Sequence, residues 1–366
     1  MRLLYIVLAG LILTRCTNQE RIPSSFPGEE ADKVLPAGNK QEMITITAVG
    51  DMMLGSDYPQ KSRFPKHNIL STLADSLKTG HFLLGNLEGV ITNVPNPEKK
   101  CINPGSCYVF RMPPGTENLF KKAGFDFLSL ANNHSGDFGN NGLKQTMTLL
   151  DKAGIHYAGI KTHQVYKIIK KGGIRYGIIG VGFGWRHLHI NQRKLVADQI
   201  KQIRDSTDIL MVFFHGGAEG DTTEHVTRKN ELFHGENRGN VFAFARSCID
   251  AGADLVLGSG PHVTRGIELY KNKLIAYSLG NYATFGSISL RGPMGMAPIL
   301  KINVNKKGDF INGRIISTMQ LPANDHTPRL DPAKKVLARM QYLSKKDFPE
   351  SPLTITQKGD IIIKNF

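Results

Sequence analysis

The chain of 366 residues has a single tryptophan and only four cysteines, and no two cysteines form a CxxC pair. A thiolate-held zinc site, which needs such close spacing, is therefore not expected. Long apolar runs are also missing: the run 3–13 falls short of the ~20 residues needed to span a bilayer. Acidic residues are the minority, 31 against 46 Lys and Arg, for a net charge of +15. That excess favours anionic partners through a long-range field. The basic residues nevertheless cluster no further than pairs such as Lys121-Lys122 and Lys170-Lys171, with no interleaved aromatics, so nucleic acid is not an expected partner. With 40% hydrophobic and 21% charged residues the composition excludes collagen-like, wholly disordered and multi-span membrane classes. The length allows one large domain or two ordinary ones.

What is there begins with a signal. Residues 1–16 read as a signal peptide, Met1-Arg2 followed by an apolar core, and export follows. Cys16 stands just after that core, where a bacterial lipoprotein carries its acylated cysteine, although Arg15 occupies a position that normally takes a small residue. The two outcomes are a lipid-anchored protein, periplasmic or on the cell surface, and a soluble periplasmic one. Residues 17–41, rich in Pro, Ser and Gly, read as a flexible tether. Residues 42–300 form the main domain, and 301–366 add hairpins and a helix that close it. In an oxidising compartment Cys101 and Cys107, bracketing Asn103-Pro104-Gly105, suit a local disulfide, while Cys248 reads as a buried thiol.

From residue 43 onward, short β-branched or apolar runs alternate with helical patterns, the mark of an α/β fold with a parallel or mixed sheet. Strands are expected at 43–49, 81–84, 125–130, 173–181, 209–214, 254–257 and 273–278. Helices are expected at 117–123, 142–153 and 240–251, each stopping at a glycine suited to a left-handed cap. Gly180-Val181-Gly182-Phe183-Gly184 lacks the spacing of a dinucleotide fingerprint.

Several apolar runs end in dense polar motifs: Gly50-Asp51, Gly85-Asn86-Leu87-Glu88, Ala131-Asn132-Asn133-His134, His215-Gly216-Gly217 and Gly258-Ser259-Gly260-Pro261-His262. Groups beyond the carboxyl ends of strands in an α/β sheet converge on one crevice. Asp51, Glu88, Asn133, His134, His215 and His262 bring carboxylate, amide and imidazole donors, a set that suits one or two divalent ions of manganese, zinc or iron. Each residue alone has an ordinary alternative, such as a helix N-cap for Asp51 or a turn for Asn132-Asn133. Their joint placement at strand ends is much harder to explain that way.

The same motifs resemble the capsule-synthesis CapA family, called PgsA in poly-gamma-glutamate systems, whose domain is similar to calcineurin-like metallophosphoesterases. The resemblance covers residues 43–285. It includes Asp137-Phe138-Gly139, the segment Asp250-Ala251-Gly252-Ala253-Asp254 and the run Tyr277-Ser278-Leu279-Gly280-Asn281. It implies a sandwich of mixed sheets flanked by helices. It also implies Asp51 as ligand of a first ion, Glu88 as bridging carboxylate, Asn133 and His215 on a second ion, and His262 completing the set. His134 is then the general acid or phosphate contact, with Asp137 orienting its ring. Asn86 and Glu219 within the motifs, and Arg238, Arg265 and Arg291 beside them, are candidates for substrate contacts.

Two positions depart from the pattern. Met53 stands where phosphoesterases usually have a histidine, and Ser259 stands where this family generally has one. The resemblance leaves two functions open. One is a metal-dependent enzyme acting on a phosphorylated substrate or anionic envelope polymer. The other is a non-catalytic factor that holds polymer or a membrane-bound synthase. Trp185, with His187 and His189, fits either a pocket wall or the core. The insertion 221–239 fits either a lid or a plain loop.

Overall fold

The computed structural model describes residues 43–100, 107–321 and 325–364. The expected signal peptide, tether and Cys16 lie outside the described residues, as does the pairing of Cys101 with Cys107. Cys107 is disulfide-bonded, and Cys248 is a free, buried thiol whose pKa burial pushes well up. Among the described residues no helix is long and apolar enough to cross a membrane.

The first sheet is built around β1 (Ile44–Met53), β2 (Phe82–Leu87), β3 (Phe127–Ser129) and β4 (His156–Ala158), all parallel. The second contains β5 (Tyr166–Lys171), β6 (Ile174–Gly182), β7 (Ile209–His215), β8 (Leu255–Ser259), β9 (Ile267–Tyr270) and β10 (Lys273–Ala276). In it β6, β7, β8 and β10 run parallel, and β5 and β9 are antiparallel edges. β11 (Asn281–Thr284) returns to the first sheet, parallel to the end of β1. β12 (Met296–Val304) pairs antiparallel with the start of β1, followed outward by β13 (Phe310–Met319) and the hairpin of β14 (Leu353–Ile355) and β15 (Asp360–Ile363). β12 therefore runs through the expected 300/301 boundary, and the C-terminal strands extend the sheet outward from β1.

The two sheets pack face to face. Ile44, Ile46, Ala48, Phe82 and Leu84 meet Ile178, Met211, Phe213, Leu255 and Leu257 in one core. Alternation along β1 sends Val49 and Met52 to the opposite face. There they pack with α1 (Glu117–Ala123) and α2 (Gly139–Ala153). The outer face of the second sheet is covered by α3 (Arg193–Ile203) and α4 (Val241–Asp250). α5 (Lys335–Asp347) seals the inter-sheet core with Val336, Leu337 and Met340. β7 is buried along its whole length, which explains its unbroken apolar sequence: both faces are covered. Gly124 and Gly154 end α1 and α2 in the left-handed conformation that the sequence predicts, with φ of 93° and 66°. The expected sandwich of mixed sheets flanked by helices is the fold observed.

Candidate metal centre

Parallel register brings the first polar residues together. Asp51 of β1 lies level with Asn86 of β2 and with Asn281 of β11, and His215 at the end of β7 lies level with Ser259 of β8. Pairing irregularities flank Asp51 on both sides, the kind of local kink that re-aims a side chain. The sequence reading ends the first strand at residue 49, but β1 continues through the buried Asp51 to Met53. Gly50 makes this approach possible, because a Cβ there would lie 2.0 Å from the Gly280 carbonyl oxygen. The Asp51 amide donates to that same oxygen at 2.8 Å.

Around Asp51 the side chains interlock. Asn86 Nδ2 donates to Asp51 Oδ1 at 2.7 Å, and Asn132 Nδ2 donates to Asn86 Oδ1 at 3.0 Å. The Gly260 amide reaches Asp51 Oδ2 at 3.2 Å. His215 Nδ1 lies 3.0 Å from Ser259 Oγ and 3.5 Å from Asp51 Oδ1. His262 Nδ1 lies 3.3 Å from Asp51 Oδ2, and its Nε2 lies 3.6 Å from Glu88 Oε1 and 3.8 Å from Glu219 Oε2. His262 takes a left-handed φ of 61°, which favours glycine and marks a tightly determined turn.

The electrostatics follow from burial and crowding. Burial by itself raises the Asp51 carboxyl, but hydrogen bonds and charge from His215 and His262 overcome it and hold the group well below the usual range. Glu88 is pushed upward, first by burial and then by the charge of Asp51, against the pull of His262. Burial lowers the His262 pKa, and the surrounding carboxylates Glu88, Asp51 and Glu219 outweigh it, pushing the ring up to about 10. A negative pocket of this kind favours a cation, and the same crowding of carboxylates is what raises the ring.

Asp51, Glu88 and His262 place one donor atom each within 4.8 Å of one another. Both Glu88 oxygens, His215 Nε2 and Asn133 Oδ1 are buried with no hydrogen-bond partner. Buried polar atoms are seldom left unpaired, and a divalent cation would satisfy this set of oxygen and imidazole donors. The chemistry of the residues therefore fits the group that the motifs imply.

Beside this cluster, His134 Nδ1 meets Asp137 Oδ2 at 2.8 Å, and its ring stacks on Phe110 at 4.1 Å. Asp137 also accepts from the Phe110 amide at 2.8 Å and pairs with Lys99 at 3.2 Å. Among the expected substrate contacts, Glu219 and Arg238 form a 2.6 Å ion pair close to His262. Arg238 also pairs with Glu236 and lies 3.8 Å from the Phe183 ring centroid. Arg265 is different. It is wholly buried, and all three guanidinium nitrogens are engaged by Glu231, Thr223 and Ala218, so it is a structural strut and not an anion clamp. Arg291 is exposed on the loop before the short turn Gly292–Gly295.

The insertion 221–239 is tied down: Glu224 pairs with Arg339 and His225 with Asp347, both on α5. Trp185 is 74% exposed and so does not belong to the core. His187 is buried, with its ring nitrogens against the carbonyls of Gly159 and Asn132. Sequence reasoning misses three positions that build the site: Asn132, which locks Asn86; Glu231, which locks Arg265; and Asn281, whose Oδ1 faces His262 Nδ1 at 2.9 Å. Asn132 and Asn281 carry a signal, the first inside the quoted motif 131–134 and the second as the last residue of the quoted run 277–281, whereas Glu231 carries none.

The fold and the cluster define a two-sheet α/β sandwich with one buried, cation-fitting polar centre at the carboxyl ends of its parallel strands. The sequence model of the bacterial capsule synthesis protein family PGA_cap matches residues 45–285, and the chain belongs to that family. It is 27% identical over 277 residues to the capsule biosynthesis protein CapA of Bacillus anthracis, covering 69% of this chain and 63% of that protein. To the PGA biosynthesis protein CapA of Bacillus subtilis strain 168 it is 27% identical over 260 residues, covering 66% of this chain and 63% of the relative. The chain thus spans just under two thirds of the length of these Bacillus relatives. A solved 5'-nucleotidase precursor from Thermus thermophilus aligns with a TM-score of 0.45 and 13% identity, over 82% of this chain and 59% of that one.

Proposed function

We propose that this protein acts in the synthesis or export of a capsule or envelope polymer of the poly-gamma-glutamate type, at the bacterial envelope and beside the polymer synthase. In this reading it carries a divalent cation centre with phosphoesterase-like chemistry. The observation that carries the reading is the set of orphaned donors: both oxygens of Glu88 and Nε2 of His215, beside Asp51 and His262, and the buried Oδ1 of Asn133 next along the chain from the Asn132 that holds Asn86. Asp51, Glu88 and His262 would hold a first ion, with His215 and Asn133 holding a second that shares Glu88. When bound, such an ion supplies Lewis-acid polarisation of a phosphoryl or carbonyl oxygen.

The chain's own residues do the rest. Asn86 fixes the Asp51 carboxylate. Asp137 orients the His134 ring so that Nε2 is left for a proton transfer to or from the substrate, and Lys99 balances the Asp137 charge. Export and acylation of Cys16 belong to the same reading.

A second reading is a polymer-holding factor without turnover. It is favoured by Ser259, whose hydroxyl engages His215 Nδ1 where an imidazole ligand is usual in the family. Metal analysis and calorimetric titration with Mn²⁺, Zn²⁺ and Fe²⁺ separate the two readings. The wild type is expected to take up one or two equivalents, and Asp51→Asn and Glu88→Gln to lose them along with any phosphoesterase activity. A wild type that binds no metal yet retains poly-gamma-glutamate would overturn the first reading in favour of the second.

A further inference from the structure

A cleft of about 330 Å³ opens beside the candidate centre, lined by Asn133, Asp137, Glu98, Trp185, Arg186 and Glu236 among others. Its most conspicuous feature is the chain's single tryptophan, 74% exposed at the cleft wall. An exposed indole at the wall of a cleft offers a flat apolar face with a polar N–H beside it, a surface on which a ligand ring can stack. The ring is held in place from below. Arg186 packs 4.3 Å from the Trp185 ring centroid and donates to Asn140 at 2.5 Å. Its side chain lies so close over Gly136 that a Cβ there would sit 2.5 Å from Nε. His187, two residues beyond the tryptophan, is fastened to the Asn132 carbonyl at 2.9 Å and lies 3.3 Å from Ser135 Oγ. The indole is therefore fixed to the same loop, 132–137, that carries Asn133 and His134.

The charge of the lining decides what fits. The lining carries Glu98, Asp137 and Glu236 against Lys99 and Arg186, three negative groups to two positive, and Arg238 beside Glu236 is shared with Glu219. A polyanion would find no net attraction there, despite the +15 of the whole chain. An exposed indole face beside amide, carboxylate and guanidinium groups suits a sugar ring. The axial C–H groups of a pyranose stack on an aromatic face, and its hydroxyls both donate to carboxylates and accept from arginine and asparagine. We propose that this cleft is a saccharide subsite in which Trp185 stacks a neutral pyranose unit, next to the part of the candidate centre carried by the loop 132–137 with Asn133 and His134. The placement beside that centre rests on the function proposed above; the binding itself does not.

The lone tryptophan makes the test direct. Chitotetraose and cellotetraose are titrated into the full-length protein, with intrinsic fluorescence and calorimetry as readouts and a poly-gamma-glutamate decamer and orthophosphate as comparators. Saturable binding of either tetrasaccharide with a change in indole emission is expected. By calorimetry Trp185→Ala is expected to weaken it about tenfold or more, while Trp185→Phe retains most of it. Asp51→Asn, which removes the proposed metal ligand, is expected to leave tetrasaccharide affinity unchanged, so failure of the metal centre and failure of the subsite are read separately. Absence of tetrasaccharide binding, binding indifferent to Trp185→Ala, or decamer binding that depends on Trp185 would each overturn the proposal.

Discussion

The Nδ1 atom of His262 lies 2.9 Å from the side-chain oxygen of Asn281. Asn281 Nδ2 donates to the Met294 carbonyl at 3.1 Å, which fixes the orientation of the amide and makes Nδ1 of the histidine the donor. The other ring nitrogen is thereby presented to Glu88. One amide thus chooses the tautomer of a candidate ligand.

Asn281→Ala should loosen that ring. Outer partners of a metal-bound histidine typically contribute roughly 10–100-fold in affinity. Calorimetry with Mn²⁺ or Zn²⁺ is expected to show a loss of that order with the fold intact by circular dichroism. Unchanged affinity would mean that His262 is not a ligand.

Arg265→Leu should act on stability and not on ligand binding. Removing the cation leaves the buried Glu231 carboxylate without its two-pronged partner, and breaking a buried pair on one side costs about 3–5 kcal/mol. Denaturant unfolding measures this. Arg291→Ala, at an exposed position, should fall within ~0.5 kcal/mol of wild type.

At Gly50 the obstacle is backbone. An alanine Cβ would lie 2.0 Å from the Gly280 oxygen and 2.8 Å from the Leu279 carbonyl carbon, and neither can swing aside as a side-chain tip would. Gly50→Ala is expected to cost about 3 kcal/mol and to lower metal uptake together with stability, since it pushes β11 away from Asp51. A variant with wild-type melting and metal content would contradict the packing.

His187 sets burial against hydrogen bonding. Burial lowers its pKa to about 4, although the carbonyls of Gly159 and Asn132 pull upward. A ring kept neutral in the fold takes up its proton more readily when unfolded, where the value is about 6.5. Its contribution to stability is therefore complete above pH 6.5 and is lost as pH falls from there towards 4. NMR titration of the ring should give a midpoint near 4, and His187→Gln should flatten the slope of stability between those limits. A midpoint at or above about 6.5 would show that the two carbonyls prevail.

Much of the architecture is legible locally. The glycines at 124 and 154 end their helices as expected, and the unbroken apolar run of β7 reads correctly as a strand. The first strand reads too short, because a polar residue after an apolar run signals an exit, whereas Asp51 is a fully buried strand residue held by Asn86 and Gly260. Arg265 misleads for a related reason. Its partner Glu231 sits in a long insertion with no periodicity, and nothing along the chain distinguishes an arginine committed to a buried carboxylate from one waiting for an anion. Trp185 is ambiguous by composition alone and is settled by its exposure.

The amino-acid order by itself determined several strands and helices, such as β2, β7 and α1, since periodicity and turn chemistry act over a few residues, whereas α3, β4 and β5 emerge only in the structure. It also determined the donor chemistry available, because carboxylates, amides and imidazoles follow the ends of apolar runs. Which of those donors share one cavity was decided only by tertiary structure. The register that sets Asp51 beside Asn281, and His215 beside Ser259, joins strands distant in the chain through backbone hydrogen bonds common to every residue type, so no local pattern encodes it.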